Sequence, residues 1–257
     1  MFRKVLTGAL ALLLLAPIIT VVTAPLHAPA PEWEFVKRAI LPRHLVETGR
    51  LLLLSVLLAI VLGTVSAWLV ASARFPGRRL FSWALMLPLA LPTYIGSITF
   101  AALFGPTGSV SNALRAATGL GLDIVTPHGL ALTFGLLLFP YVYLPARAAF
   151  AGGMGDLLEA ARLLGARPWQ RAWRVAFPMA RPAIAAGALL VAMEALNDYG
   201  AVSHYGVHTL TVGIFRSWGG LYDTGSALRI AAILVLIVGA IALVEDRIGR
   251  RARRTAT

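Results

Sequence analysis

Glu194 and Asp198 stand four residues apart in the stretch MEALNDYGAVSHYG, Met193 to Gly206, with Asn197 beside the second carboxylate. On a helix that spacing stacks both acids on one face. Two carboxylates on an apolar helix can line a path and attract a cation. The alternative has Glu194 neutral or paired with an Arg of another helix and Asp198 near a water interface. Paired acids also perform general acid–base chemistry, but no nucleophile or metal cluster accompanies these two, so the chain is not expected to be an enzyme. His204 and His208 repeat the four-residue spacing and could share a zinc or ferric ion if helical. Gly206 lies between them and no third ligand is apparent, which favours a pair of loop residues. The absence of cysteine excludes thiolate metal sites and disulfides, and no cofactor and no metal site is expected.

The elements that must position these groups follow from composition. Hydrophobic residues make up 58% of the 257 residues and charged residues 13%, about half the usual charged share of a soluble domain, so the chain is solvated mainly by lipid. The expected fold is all-α, a polytopic membrane protein with about six transmembrane helices of roughly 20 residues each. They are expected near Val5 to Thr23, Val46 to Ala73, Phe81 to Phe104, Gly129 to Phe150, Ala183 to Ser203 and Ser226 to Val244. No stretch between them is long enough for a separate soluble core, so residues 1–257 read as a single transmembrane domain with a basic tail at 245–257. The first segment has a basic start and small residues in HAPA, as a cleaved signal peptide would; its apolar run is longer than such peptides use, which favours an uncleaved anchor.

Orientation follows from the cations. With the N-terminus inside, the inner segments collect Arg3 and Lys4, then Arg74, Arg78 and Arg79, then the run from Arg147 to Arg181, and finally Arg247 to Arg254. The positive-inside rule therefore puts both termini in the cytoplasm. The net charge of +12 is accounted for by cations beside an anionic leaflet, and no nucleic-acid partner is expected. The outer connections PLHAPAPEWEFVKRAILPRH and GPTGSVSNALRAATGLGLDIVTPH read as loops, the first with a short interfacial helix around Trp33 to Ile40.

One inner segment, about 151–182, is unusually ordered in pattern. Asp156 and Glu159 have the form of a capping box, so a helix is expected to start there, with Leu157, Leu158, Ala161 and Leu164 on one side. Gly165 is placed to close that helix in the left-handed conformation. Pro168 suits the first turn of a second helix, in which Trp169, Ala172, Trp173 and Ala176 share a face, and Pro178 and Pro182 are expected to limit its extension. Such a basic, amphipathic pair of short helices fits either the headgroup region of a membrane or a groove in a soluble partner.

The same segment resembles the EAA loop of the membrane subunits of bacterial ATP-binding cassette importers. Glu159-Ala160-Ala161, three residues, Gly165, nine residues and Val175-Ala176-Phe177-Pro178 match that motif, with Val175 and Phe177 in place of its usual Ile and Leu. Met193 to Trp218 is similar to ferric-iron permeases, specifically their N-terminal half, and next to thiamine permeases. The resemblance implies a type I ABC importer permease fold in a bacterial inner membrane. It implies ATPase coupling through Glu159, Ala160, Ala161, Gly165 and Pro178, and a translocation path past Glu194, Asn197 and Asp198. The implied partners are cytoplasmic ATP-binding subunits, a periplasmic or lipid-anchored substrate-binding protein, membrane lipid and a second permease half, because ferric permeases carry two such loops and this sequence has one. The implied cargo is ferric iron, with thiamine, phosphonate, tetrahedral oxyanions or another small solute as alternatives. No GxxxxGK[ST] phosphate loop is present, so the energy is expected from a partner; a secondary transporter and a non-transporting scaffold are the rival classes. Pro88, Pro92, Pro140 and Pro145 permit bends, and LPLALPTYIG could line a gate. Gly63, Ser66, Gly187 and Ala188 read as surfaces for close helix packing.

Overall fold

The computed structural model describes residues 2–29, 31–152 and 155–255, and every regular element among them is a helix. We label them α1 (Phe2–Thr23), α2 (Trp33–Ser72), α3 (Arg78–Ala84), α4 (Thr93–Phe104), α5 (Ser109–Thr118), α6 (Pro127–Ala151), α7 (Gly155–Leu163), α8 (Trp169–Asn197), α9 (Gly200–His204), α10 (Leu210–Phe215) and α11 (Thr224–Thr255). Four stretches are long and apolar enough to cross a membrane: α2, α6, α8 and Thr224–Val244 of α11. A fifth exists if Arg78–Ala90 and Thr93–Thr118, bent by 97° at their junction, count as one span. In α1 the apolar helical stretch among the described residues is the shorter Leu13–Leu26.

Three expectations about boundaries are corrected. The third span is not one helix from Phe81 to Phe104. Pro92 lacks an N–H and forces the residue before it out of the helical region, so Leu91 is extended at φ −101° and ψ 127° and the helix restarts at Thr93. The fifth span does not begin at Ala183, and Pro178 and Pro182 do not end the preceding helix; α8 runs unbroken through both and stops at Asn197. A π-helical turn over Ala172–Ala176 lies just before Pro178 and contains the Arg174 carbonyl that the Pro178 ring would otherwise strike. Trp33 to Ile40 likewise is not a separate interfacial helix. It forms the first two turns of α2, joined to the rest by a π-helical turn at Val36–Ile40 that directly precedes Leu41-Pro42.

The chain forms two compact units. In the larger, Gly49–Val207 with Ile241–Thr257, α6 is the central helix. Thr126 caps it by accepting from Gly129 N at 3.0 Å, and Pro127 sits where a missing N–H costs nothing. Its neighbours approach through small residues. Along α2 the row Ser55, Ala59, Gly63 and Ala67 faces inward, while Leu57, Val61, Val65 and Leu69 face out. A Cβ on Gly63 would stand 2.7 Å from Val142 Cβ, and one on Gly187 of α8 would stand 2.6 Å from the Tyr141 carbonyl oxygen and Val142 Cα. Ala188 is buried beside Gly187, whereas the Ser66 hydroxyl turns back to its own helix and donates to Leu62 O at 2.6 Å.

In the smaller unit, Met1–Thr48 with His208–Ala240, Val36 and Ile40 of α2 pack with Leu210 and Ile230. Arg229 donates to the His27 carbonyl at 2.6 Å and lies over the Trp33 ring at 5.2 Å. Asp223 caps α11 by accepting from Ser226 N at 3.0 Å. α11 continues as helix through the basic stretch that follows Val244.

Because the atoms facing Gly187 are main-chain and cannot rotate away, Gly187→Ala should lower stability by about 1–3 kcal/mol. Thermal unfolding of the detergent-purified chain checks this; Gly239→Ala, whose added carbon meets nothing within 4 Å in the interior of α11, should melt at or above the wild type.

Candidate functional site

The break between α3 and α4 and the C-terminal end of α8 form one site within the larger unit. Glu194 lines two adjoining cavities of about 220 and 310 Å³. The first is walled by Pro88 to Thr93 and by Leu137, Leu138 and Tyr141 of α6. The second is walled by Pro92, Thr93 and Tyr94 together with Asn197, Asp198, Tyr199 and Gly200. Thr93 Oγ1 donates to Glu194 Oε1 at 3.4 Å, so the carboxylate stands at the first turn of α4. That is the positive end of a 12-residue helix whose opening N–H groups lack helical partners.

The other acid is differently employed. Asp198 Oδ1 accepts from Ala201 N at 2.8 Å and caps α9, which fixes the turn that ends α8. Asn197 is exposed. A Cβ on Gly200 would come within 2.9 Å of Tyr94 Cβ, so α9 lies close against the start of α4. The sequence-predicted trio is therefore gathered at one cavity, with Glu194 facing the broken span and Asp198 holding a backbone turn.

The Ser82 carbonyl in the last turn of α3 and the Ser97 carbonyl within α4 have partners that sequence reasoning missed. Ser82 O accepts from Tyr143 OH at 3.0 Å and from Arg147 Nη1 at 3.2 Å, and Ser97 O accepts from Tyr205 OH at 3.0 Å. The signal was present as Tyr143 and Arg147 in the apolar α6 and Tyr205 just after α9, where a polar tip needs a partner.

The basic segment turns at Gly165 as its spacing predicts. α7 spans Gly155–Leu163; the side chains of Asp156, Leu157 and Leu158, on which the capping and clustering expectations rest, lie outside the described residues. Gly165 has φ +79°, with Ala166 N donating to Ala161 O at 3.0 Å and Gly165 N to Arg162 O at 2.9 Å, the paired bonds of a Schellman motif. A Cβ there would meet nothing within 4 Å, so the need for glycine is conformational rather than steric. The next helical turn is capped by Gln170, whose Oε1 accepts from Arg167 N at 2.8 Å. Glu159 and Ala160 are exposed, and Leu163 and Leu164 leave 81% and 87% of their surface uncovered at the tip of the turn.

The histidines do not pair as their spacing suggested. His204 lies against Tyr205, with ring centroids 6.0 Å apart. In the smaller unit His208 instead faces His44 at 5.6 Å, and its backbone N–H donates to Glu47 Oε2 at 2.7 Å. Among the described residues no group of three or more His, Asp or Glu is arranged to hold a metal ion.

The comparisons with known proteins agree on one architecture. The model of the family described as "Binding-protein-dependent transport system inner membrane component" matches residues 55–254. The probable sulfate transport system permease protein cysT of Marchantia polymorpha is 30% identical over 192 residues, which are 72% of this chain and 65% of that protein. The Fe(3+)-transport system permease protein FbpB 2 of Haemophilus influenzae is 31% identical over 180 residues, 70% of this chain and 32% of that protein. The chain thus spans less than two thirds of either relative's length. A chain from the structure of a bacterial alginate ABC transporter, in complex with an alginate pentasaccharide-bound periplasmic protein, superposes with a TM-score of 0.78 at 17% identity. The match covers 97% of this chain and 93% of that one, a likeness of fold.

Since the sequence has no cysteine, an introduced one reports its own surroundings. Asn197→Cys should react rapidly with a charged thiol reagent in membrane vesicles. Ala195→Cys, two residues away and buried, should stay unmodified over the same interval.

Proposed function

We propose, because the chain belongs to the binding-protein-dependent transport system inner membrane component family, that it is a transmembrane permease subunit of an ATP-binding cassette importer. The observation that carries this reading is the continuity of α8. One helix starts four residues after Gly165 and runs past Glu194, so the exposed loop and the cavity are joined by a rod about 38 Å long. A rigid rod can transmit displacement; two short helices ended by Pro178 and Pro182 could not.

In this reading Glu159, Ala160, Ala161 and Gly165 dock the loop on an ATP-binding subunit, and Leu163 and Leu164 fill its cleft. Pro178 marks where the docked segment becomes the spanning helix. ATP-driven closure moves the loop, and α8 carries that movement to Glu194, Asn197 and Asp198 at the translocation path. Hydrolysis belongs to the partner ATPases. The other partners are a periplasmic or lipid-anchored substrate-binding protein and a second permease half, arranged with both termini of this chain in the cytoplasm of a bacterial cell and residues 1–257 acting as one permease domain.

For the cargo we favour ferric iron. Glu194 lines the cavity at the positive end of α4, and a carboxylate there would repel an entering anion and attract an entering cation. Sulfate is the second reading, supported by the name of the Marchantia relative.

Reconstitution in proteoliposomes with the cognate ATPase and binding protein tests each layer. Uptake should require the ATPase and be blocked by vanadate; uptake driven by an ion gradient alone would sink the importer reading. Gly165→Pro, which cannot adopt φ +79°, and Glu159→Lys should each abolish uptake at equal insertion, and normal uptake in either would count against the coupling role. Radiolabelled ferric ion and sulfate, offered in parallel, decide the cargo, with Glu194→Gln lowering ferric uptake.

A further inference from the structure

A further cavity in the larger unit, about 680 Å³, lies between the C-terminal end of α2 and the start of α8. Its walls are Val65, Trp68 and Leu69 on one side and Trp173 and Phe177 on the other, with Ser72 and Ala73 at its end. The aromatic wall is continuous: Trp173 stacks edge-on against Phe177 at 4.9 Å, and Phe177 and Trp68 both meet Phe150. Into this apolar groove comes Arg171, whose Nε is buried and finds no hydrogen-bond partner among the described residues.

A buried guanidinium N–H without an acceptor is costly, and none of the lining residues is acidic. The nearby Ser72 hydroxyl donates to Trp68 O at 2.7 Å and makes no hydrogen bond to Arg171 Nε. At the end of α2, Arg78 donates to the Val70 and Ala71 carbonyls. Arg171 moreover stands in the first turn of α8, where the helix dipole adds positive potential to its own charge. The site lacks an anion.

Its surroundings indicate which anion. Trp169 and Trp173 are 57% and 66% exposed at its mouth, as indole rings are at a headgroup boundary. From the groove the outward row Leu69, Val65, Val61 and Leu57 runs along α2 for about 18 Å, close to half the hydrocarbon thickness of a bilayer. We propose that this groove binds one anionic phospholipid, its phosphate held by Arg171 and its acyl chain laid along the α2 row. The guanidinium fork matches phosphate oxygens, and the aromatic wall covers the glycerol region.

The test is native mass spectrometry of the full chain released from vesicles containing phosphatidylglycerol or phosphatidylcholine, which needs no transport activity and so stands apart from the permease reading. The wild type should retain one phosphatidylglycerol per chain and no phosphatidylcholine. Arg171→Gln should lower that retention roughly tenfold or more, while Arg115→Gln, which removes the same charge elsewhere, should leave it unchanged. Ser72→Trp, which fills the groove and keeps Arg171, should lose the lipid as well. Equal retention of the two lipids, or retention undiminished in Arg171→Gln or Ser72→Trp, overturns the proposal. So does a photo-crosslinker at Trp173 in native membranes that captures a protein chain in place of lipid.

Discussion

Every backbone N–H and C=O in an apolar surrounding must find a partner within the protein, and the rest of this structure follows from how the chain meets that demand at its prolines. Two pairs of prolines share the same spacing, Pro88 with Pro92 and Pro178 with Pro182, yet their outcomes differ. In α8 a π-helical turn precedes the pair and the helix continues; in the other stretch a tight 3₁₀ turn over Leu87–Ala90 precedes Pro92 and the helix breaks. The break is tolerable because its loose carbonyl, that of Ser82, is taken by Tyr143 and Arg147 of α6. The helix that continues becomes a rod, and the helix that breaks opens a cavity. Both are placed on one central scaffold, α6, whose surface Gly63 and Gly187 touch through main-chain contacts.

The device that keeps α8 intact occurs twice. α2 carries a π-helical turn over Val36–Ile40 before Leu41-Pro42, and α8 carries one over Ala172–Ala176 before Phe177-Pro178. In each, the carbonyl four residues before the proline, of Arg38 or of Arg174, falls inside the widened turn. A proline that would otherwise end a helix becomes the point at which a surface segment joins a spanning one. For α8 this places the first aromatic turns and the final acid on the same body, which is what a loop must share with a cavity if movement of one is to reach the other.

What the sequence made legible was what is decided locally. The Gly165 turn was readable because a left-handed residue has few substitutes. Glu194 was readable because a carboxylate in an apolar helix is rare. The helix boundaries at the prolines were not, since identical spacings gave a rod in one place and a break in the other according to which partners the tertiary structure supplied. The contact of His208 with His44 escaped for the same reason: it joins residues far apart in sequence, whereas the spacing to His204 was only a local suggestion. The role of Asp198 as a cap depended on α8 stopping at Asn197, a boundary no periodicity marked.

The charges along α8 run against its own dipole at both ends. Arg171 and Arg174 stand near its positive N-terminus and Glu194 near its negative C-terminus, each the less favourable end for its sign. A helix so charged gains nothing from its own field, so each terminus depends on a counter-group from outside it. For Glu194 that group is internal, the positive first turn of α4 and the Thr93 hydroxyl. For Arg171 none of the described residues supplies one. The asymmetry has a physical consequence. The acid end finds its partner within the fold, while the Arg171 Nε at the basic end finds none among the described residues. Sensitivity to environment therefore belongs at the loop end of the rod and constancy at the cavity end.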